Sequence, residues 1–274
     1  MRIRVAACQI DTYRDIDKSM SKIVEWIGKA SEEGIDVVSF PEAALCGYTS
    51  ESDYWKGADP EDFRAAEGEV VEASRENDIG VVLGTANRER GKWYNSLLAI
   101  DRGGVVRGRY SKTHLAEAWS TPGRVLPIYE LAGARSCFLV CHDIRYPELV
   151  RLPAIRGAQV CYFCSNESGL FSEHKLSAYR AMPIARATEN GIYLVMANAP
   201  ANPDHIRSGS QSHGNSKIIH PDGNVLEEAG YFEERLVSRE IDLEAADGSV
   251  ARRSVNDDTI LKGWMKQGSE LVSL

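Results

Sequence analysis

Three segments of this chain carry side chains able to act together on a carbonyl carbon. Phe40-Pro41-Glu42 sets a carboxylate just past a short apolar run. Arg109-Tyr110-Ser111-Lys112-Thr113-His114-Leu115 sets an ammonium group past another strand-like run. Cys137-Phe138-Leu139-Val140-Cys141-His142-Asp143-Ile144-Arg145-Tyr146-Pro147-Glu148 ends an apolar run at a thiol and opens a helix within about five residues. Read singly, each has an ordinary explanation: a solvated loop glutamate, a surface lysine, a small buried cysteine. Together they form a kit for acyl transfer: a thiolate nucleophile, a carboxylate that moves protons, and a cation that meets an oxyanion. All three stand immediately after a predicted strand, the usual place for a site in an α/β fold. A turn from strand to helix also presents backbone N–H groups, which lower a thiol pKa and bind an oxyanion.

The elements that must position these groups follow from hydrophobic period. Strands are expected at 3–9, 35–40, 79–86, 96–101, 104–109, 125–130, 135–141, 158–164, 192–198, 214–220, 224–228 and 235–241. Ile16, Met20, Ile23, Ile27 and Ala30 make one apolar helix stripe, and Phe63, Ala66, Val70 and Ala73 make a second over 61–77. A third helix starts near Tyr146-Pro147, with the proline suited to the first turn, and a fourth spans 173–190 with a break at Pro183. Asp101-Arg102-Gly103-Gly104 and His220-Pro221-Asp222-Gly223-Asn224 read as hairpin turns. Early strand–helix alternation followed by hairpins predicts one α/β domain over 1–274 with mixed sheets, and an irregular tail from about 245.

Composition narrows the function classes. The chain has 274 residues, 43% hydrophobic and 26% charged, a size at which a single core is feasible. A net charge of −8 and a pI of about 5.4 argue against a nucleic-acid partner. The N-terminus enters a strand pattern without an apolar leader, and no apolar run reaches the roughly 18 residues of a membrane span. A cytoplasmic protein is therefore expected. The cysteines are Cys8, Cys46, Cys137, Cys141, Cys161 and Cys164; several lie inside apolar runs, and no disulfide framework is expected.

The segments around Glu42, Lys112 and Cys141, in this order and spacing, resemble the three signatures of the nitrilase superfamily of carbon–nitrogen hydrolases. The similarity continues through Ala185-Arg186-Ala187-Thr188-Glu189-Asn190-Gly191 and Gly214-Asn215-Ser216-Lys217 to about residue 241. The resemblance implies a four-layer α-β-β-α sandwich with Glu42, Lys112 and Cys141 as its catalytic residues. It implies no cofactor and no metal. Glu117, in Leu115-Ala116-Glu117-Ala118-Trp119, matches the second glutamate that many members carry after the lysine. The implied reaction is hydrolysis of a small non-peptide amide through a cysteine thioester, releasing ammonia or an amine. A nitrile or an N-carbamoyl compound is the alternative substrate. A homodimer or larger homo-oligomer, paired through 146–156 and 173–190, is also implied. This chain departs from the pattern at His142, where an aromatic residue is common, at Asn198-Ala199-Pro200, which lacks a frequent glycine, and at Asn215.

Around this kit, the His142 backbone N–H is expected to bind the oxyanion. Tyr48, Trp119, Ser165, Asn166 and Glu167 are candidate pocket walls. Arg145 could meet a substrate carboxylate, although a salt bridge ordering the cysteine loop is the favoured role. His174, His205 and His213 are expected at the surface or in loops, Ser208–Ser212 as a mobile loop near the site, and Glu227-Glu228 with Glu233-Glu234 as a solvated edge. Two rival chemistries fit parts of the sequence. A Cys141–His114 pair of papain type is disfavoured because His114 reads as structural, and His142, as a chain neighbour, points away from the thiol. Cys161-Tyr162-Phe163-Cys164 has redox or zinc spacing, but on a strand its two thiols face opposite sides of the sheet. A binding protein without activity would need no combination of Glu, Lys and Cys.

Overall fold

The computed structural model describes residues 1–167, 176–202 and 212–274. In chain order the first half contains β1 (Arg2–Gln9), α1 (Ile16–Glu32), β2 (Val37–Ser39), α2 (Ser52–Gly57), α3 (Pro60–Glu76), β3 (Gly80–Glu89), β4 (Lys92–Asp101) and β5 (Val105–Ser111). It continues with β6 (Leu126–Pro127), β7 (Tyr129–Leu131), β8 (Ala134–Val140), α4 (Glu148–Ile155), β9 (Val160–Ser165), α5 (Leu176–Thr188) and β10 (Tyr193–Asn198). The last part holds β11 (Lys217–Ile219), β12 (Val225–Glu228), β13 (Arg235–Asp242), α6 (Ser249–Asn256), α7 (Lys262–Ser269) and β14 (Val272–Ser273).

Two six-stranded sheets run in the orders β13-β1-β2-β3-β4-β5 and β12-β11-β10-β9-β8-β7. Their facing surfaces meet in one core that includes Val5, Ala7, Leu97 and Tyr110 from the first sheet and Phe138, Val140, Tyr162 and Val195 from the second. The outer face of the first sheet packs on α1 and α3 through Ala6, Cys8, Ile23, Ile27, Ala66 and Val70. The outer face of the second packs on α4, α5 and α6 through Leu139, Phe163, Val150, Ala187 and Ala251. The result is the four-layer α-β-β-α sandwich. The period-2 alternation explains why its central strands read as unbroken apolar runs: both faces are covered. Along β9, Cys161 enters the outer core and Cys164 the inner one, and both thiols are free.

The two helix stripes lie where the pattern put them. Asp15 caps α1 by accepting from the Lys18 N–H at 3.0 Å, and Asp59 caps α3 from the Glu61 N–H, with Pro60 at its start. Both hairpins form, β4–β5 and β11–β12.

Several elements differ from the sequence reading. The tail is not irregular: α6 and α7 fold against α4, and β14 adds to β6 in parallel. Its helices bury only Ala251 and Ser269, too little for an apolar stripe to stand out. Helix α5 runs through the buried Pro183 without a break, because proline withdraws one backbone bond and packing holds the rest. Pro147 is the N-cap of α4 rather than a first-turn residue. The strand expected at 125–130 is split between β6 and β7, which pair with different partners. Helix α2 follows no apolar repeat and is held by Trp55. The acidic edge is ion-paired: Glu227 with Arg235, Glu228 with Lys217 and Arg180, and Glu234 with Lys22. His213 is buried, not exposed. The start of the 173–190 helix, His174, His205 and residues 208–211 lie outside the described residues. Among the described residues no helix is long and apolar enough to cross a membrane.

Candidate active site

Glu42 stands three residues past the end of β2. The loop that carries it lies against β3 at Gly84, where a Cβ would fall 1.8 Å from the Pro41 carbonyl oxygen. Only glycine allows that approach, and the Leu45 N–H then donates to the Gly84 carbonyl. Lys112 follows β5, the neighbour of β4, and its own N–H donates to the Asn95 carbonyl at 2.8 Å. Glu117 comes from the loop beyond.

These three side chains form one buried array. Lys112 Nζ donates to Glu42 Oε1 at 2.9 Å and to Glu117 Oε2 at 2.8 Å, with all three side chains closed to solvent. Asn95 on β4 was missed in the sequence reading. Its Nδ2 donates to Glu42 Oε1 at 2.7 Å and to Glu117 Oε1 at 2.9 Å. Further donors are the Asn166 backbone N–H on Glu42 Oε2, Ser120 Oγ on Glu117 Oε1 and the Ala116 N–H on Glu117 Oε2. The only sequence signal for Asn95 is a polar residue beside a run of apolar ones in a buried strand.

The two carboxylates differ in environment, and so in proton affinity. Burial raises the Glu42 pKa, and the charge of Glu117 adds to it; Lys112 only partly offsets them. Burial also opposes ionisation of Glu117, but Lys112, Asn95 and Ser120 outweigh it and hold its pKa below the ordinary value. Lys112 likewise overcomes its burial through Glu42, Cys141 and Glu117 and stays a cation. Such a split between neighbouring carboxylates suits one to carry protons and the other to stay charged.

Cys141 ends β8 at the start of a single 3-10 turn, Cys141–Arg145. Its φ of +43° lies in the left-handed region, which a side chain adopts at an energetic cost. Such a turn leaves its leading N–H groups without partners inside the helix, as an oxyanion site requires. Burial raises the thiol pKa well above its ordinary value, with Glu42 and Glu167 adding to it and Lys112 opposing. The neutral thiol is therefore the favoured form at rest. Its hydrogen bond runs to Glu167 Oε2, at 3.1 Å. Glu167 follows β9, the strand beside β8, and it meets the thiol itself rather than only walling the pocket.

The turn is ordered by Asp143, not by Arg145. Asp143 accepts from the Tyr110 hydroxyl at 2.7 Å and from the backbone N–H groups of Thr113, His114 and Val140, so it ties the cysteine turn to the lysine loop. Burial pushes its pKa up to about 6. Asp143→Asn keeps only one acceptor oxygen for four donors. It should lower stability by about 1–3 kcal/mol and kcat by roughly tenfold, measured by thermal melts and initial rates. Arg145 is exposed and makes no ion pair among the described residues; its guanidinium lies 5.8 Å from the Tyr179 ring centroid. The expected salt bridge is not formed among the described residues.

Tyr48 is half-buried, with its hydroxyl pKa raised by burial and by Glu42, Glu117 and Cys141. Asn166 holds Glu42 through its N–H and reaches Thr12 Oγ1 at 3.2 Å through its side chain. Both border a cleft of about 580 Å³ with Thr12, Tyr13, Ala199 and Ser212. Trp119 does not border that cleft. It stacks on Trp55, with centroids 3.7 Å apart, in an aromatic cluster with Phe63 and Trp93. His142 is half-buried beside Tyr146, and burial, then Arg145, lowers its pKa. His114 stacks on Tyr146 at 3.4 Å and takes no part in a Cys–His pair among the described contacts.

The carbon–nitrogen hydrolase model matches residues 4–248. The 2-oxoglutaramate amidase of Bacillus subtilis (strain 168) is 31% identical over 252 residues, which cover 89% of this chain and 92% of the relative. A nitrilase of Pyrococcus abyssi (strain GE5 / Orsay) is 30% identical over 254 residues, covering 88% and 90%. A mutant of the amidase from Nesterenkonia sp. AN1, with the acetamide moiety of fluoroacetamide added covalently at its active-site cysteine, matches with a TM-score of 0.78 at 25% identity, over 90% of this chain and 92% of that one. The match begins in the first strand, passes through all three motif segments and ends beyond the last strand of the first sheet, and by it the chain belongs to the carbon–nitrogen hydrolase family.

Proposed function

We propose that Cys141, Glu42, Lys112 and Glu117 are the catalytic residues of this enzyme and that its substrate is a small amide. As an amidase of its family the chain cleaves a non-peptide carbon–nitrogen bond through a cysteine-bound acyl intermediate. The observation that carries the assignment is the buried Glu42–Lys112–Glu117 array beside a thiol held on a strained turn. Glu42 takes the Sγ proton, and the thiolate attacks the amide carbon. The developing oxyanion is met by the Lys112 ammonium and the His142 N–H. Glu42 returns the proton to the nitrogen as the carbon–nitrogen bond breaks, which leaves the thioester. Water then gives a proton to Glu42 and attacks the thioester, the carbon–sulfur bond breaks, and Glu42 reprotonates the sulfur. Glu117 stays ionised and keeps Lys112 charged and aimed. No step calls for a cofactor or metal.

Tyr48 and Asn166 border the cleft of about 580 Å³, which Asn166 joins to the array through its N–H on Glu42, and the exposed Arg145 could meet an anionic group on the substrate. A nitrile is the second reading, favoured by the nitrilase relative. We place the enzyme in the cytoplasm as a homo-oligomer that pairs α4 and α5. The test is an ammonia-release screen over small amides, ureido compounds and nitriles, with Cys141→Ala as blank. Activity on an amide is expected; wild-type and blank indistinguishable on every class would overturn the assignment.

The pH profile follows from the same carboxylates. Glu42 must be ionised to accept the thiol proton, and its pKa is raised by burial. Asp143, at about 6, must be ionised to accept all its donors. Activity is therefore lost as pH falls, and the acid limb of kcat/KM should lie at about 6, above the ordinary carboxylate range. Rates from pH 4 to 9 in a constant-ionic-strength buffer check it.

A further inference from the structure

We propose that Glu167 is a positioning residue for the nucleophile, holding the resting Cys141 side chain as a neutral donor until its proton passes to Glu42. The inference rests on the assignment of Cys141 and Glu42 above. Glu42 already receives Asn95, Lys112 and the Asn166 N–H on its two oxygens, and the thiol is not among its donors. The thiol donates instead to Glu167 Oε2 at 3.1 Å. Both partners are enclosed, Cys141 at 7% and Glu167 at 4% exposure, so the bond is shielded from water and strengthened accordingly.

The seat of Glu167 is built for the purpose. Its backbone N–H donates to Asn198 Oδ1 at 3.2 Å. Asn198, at the end of β10, is itself fixed: its Nδ2 donates to the Gly214 carbonyl at 2.8 Å, its N–H donates to Ser216 Oγ, and its Oδ1 also accepts from Ser212 Oγ. Residues from the ends of three adjacent strands of the second sheet thus set one carboxylate against one thiol.

The groups around the thiol come from every neighbouring element. Glu42 follows β2, Tyr48 follows the same loop, and Lys112 and Glu117 follow β5. Glu167 follows β9, Tyr179 lies on α5, and His142 is in the thiol's own turn. Among the described residues Lys112 is the cation that favours the thiolate, and it is engaged by two carboxylates. A charge on Glu167 within hydrogen-bond reach therefore opposes ionisation directly. No bond is made or broken in this resting state. The proton stays on sulfur until the thiol leaves Glu167, and then moves to Glu42.

The test is the pH dependence of Cys141 alkylation by iodoacetamide, read by mass spectrometry on the peptide that contains it. Glu167→Gln preserves shape and an acceptor but removes the charge. Its alkylation midpoint should fall by about one pH unit, with a rate at pH 7 roughly three- to tenfold above wild type. Ammonia release should survive in Glu167→Gln at a tenth of wild type or more, whereas Glu42→Gln loses far more. A midpoint that coincides with wild type, or rises, overturns the proposal. A separate measurement needs no variant at Glu167: the S–H stretching band in the infrared difference between wild type and Cys141→Ala. A band shifted by strong hydrogen bonding supports the hold, and one at the free-thiol position overturns it. Loss of the parent assignment would look different, as ammonia release that persists in Cys141→Ala.

Discussion

Cys141→Ala should lower ammonia release by about 10⁴-fold or more while the fold is retained. In the proposed mechanism the thiol carries the acyl group, so its removal would eliminate the covalent route rather than weaken it. The buried array of Glu42, Lys112 and Glu117 does not need the sulfur to hold together, since its contacts are with Asn95, Ser120 and Asn166. Alanine accepts the left-handed φ of +43° about as well as cysteine does, and the side chain lost is small. The melting temperature should therefore change by only a few degrees, and intact-mass measurements should show no acyl adduct on incubation with substrate. Residual turnover above about a hundredth of wild type would mean that another group is the nucleophile.

Lys112→Met is expected to damage both activity and stability. Two carboxylates would then share the Asn95 amide with no cation between them. Breaking a buried ion pair by removing one partner typically costs about 3–5 kcal/mol, because the remaining charge is left uncompensated. Loss of the oxyanion cation should lower kcat by roughly 10³-fold. The sign of the pH effect can be worked out. Without Lys112 the folded pKa values of Glu42 and Glu117 move upward, above those of the unfolded chain. Carboxylates raised in this way favour the fold when protonated, so the deficit of the variant should shrink toward acid pH and grow as pH rises. Denaturant melts of both proteins from about pH 5 to pH 8 check this; a deficit that grows toward acid pH would contradict the array.

Much of this molecule is legible along the chain. The stripes of α1 and α3 are local 3.6-residue periods, and the strand cores are local runs of apolar, β-branched residues, so both could be marked without knowing their partners. The three chemical segments could be found because each combines a reactive side chain with the end of such a run. What failed was of two kinds. Elements with little apolar surface, α2, α6 and α7, gave no period to read, and their existence depends on docking against neighbours. Side chains whose role is contact across the fold, Asn95, Asp143 and Glu167, carry no sequence signal that names their partners.

The residue types, the ends of strands and the order of the motifs are properties of short stretches, and they suffice for the chemistry and for the sandwich. Which strand end adjoins which is decided by sheet order and by the packing of one sheet on the other, across separations such as the 70 residues between Glu42 and Lys112 and the 26 between Cys141 and Glu167. Glu42 and Lys112 meet because β2 and β5 lie in one sheet with β3 and β4 between them, and Asn95 bridges the gap. Cys141 meets Glu167 because β8 and β9 are parallel neighbours in the other sheet. The desolvation that separates the two glutamates in proton affinity exists only once both sheets close over them. A sequence can therefore name the groups that react, but their proton affinities and their partners belong to the packed fold.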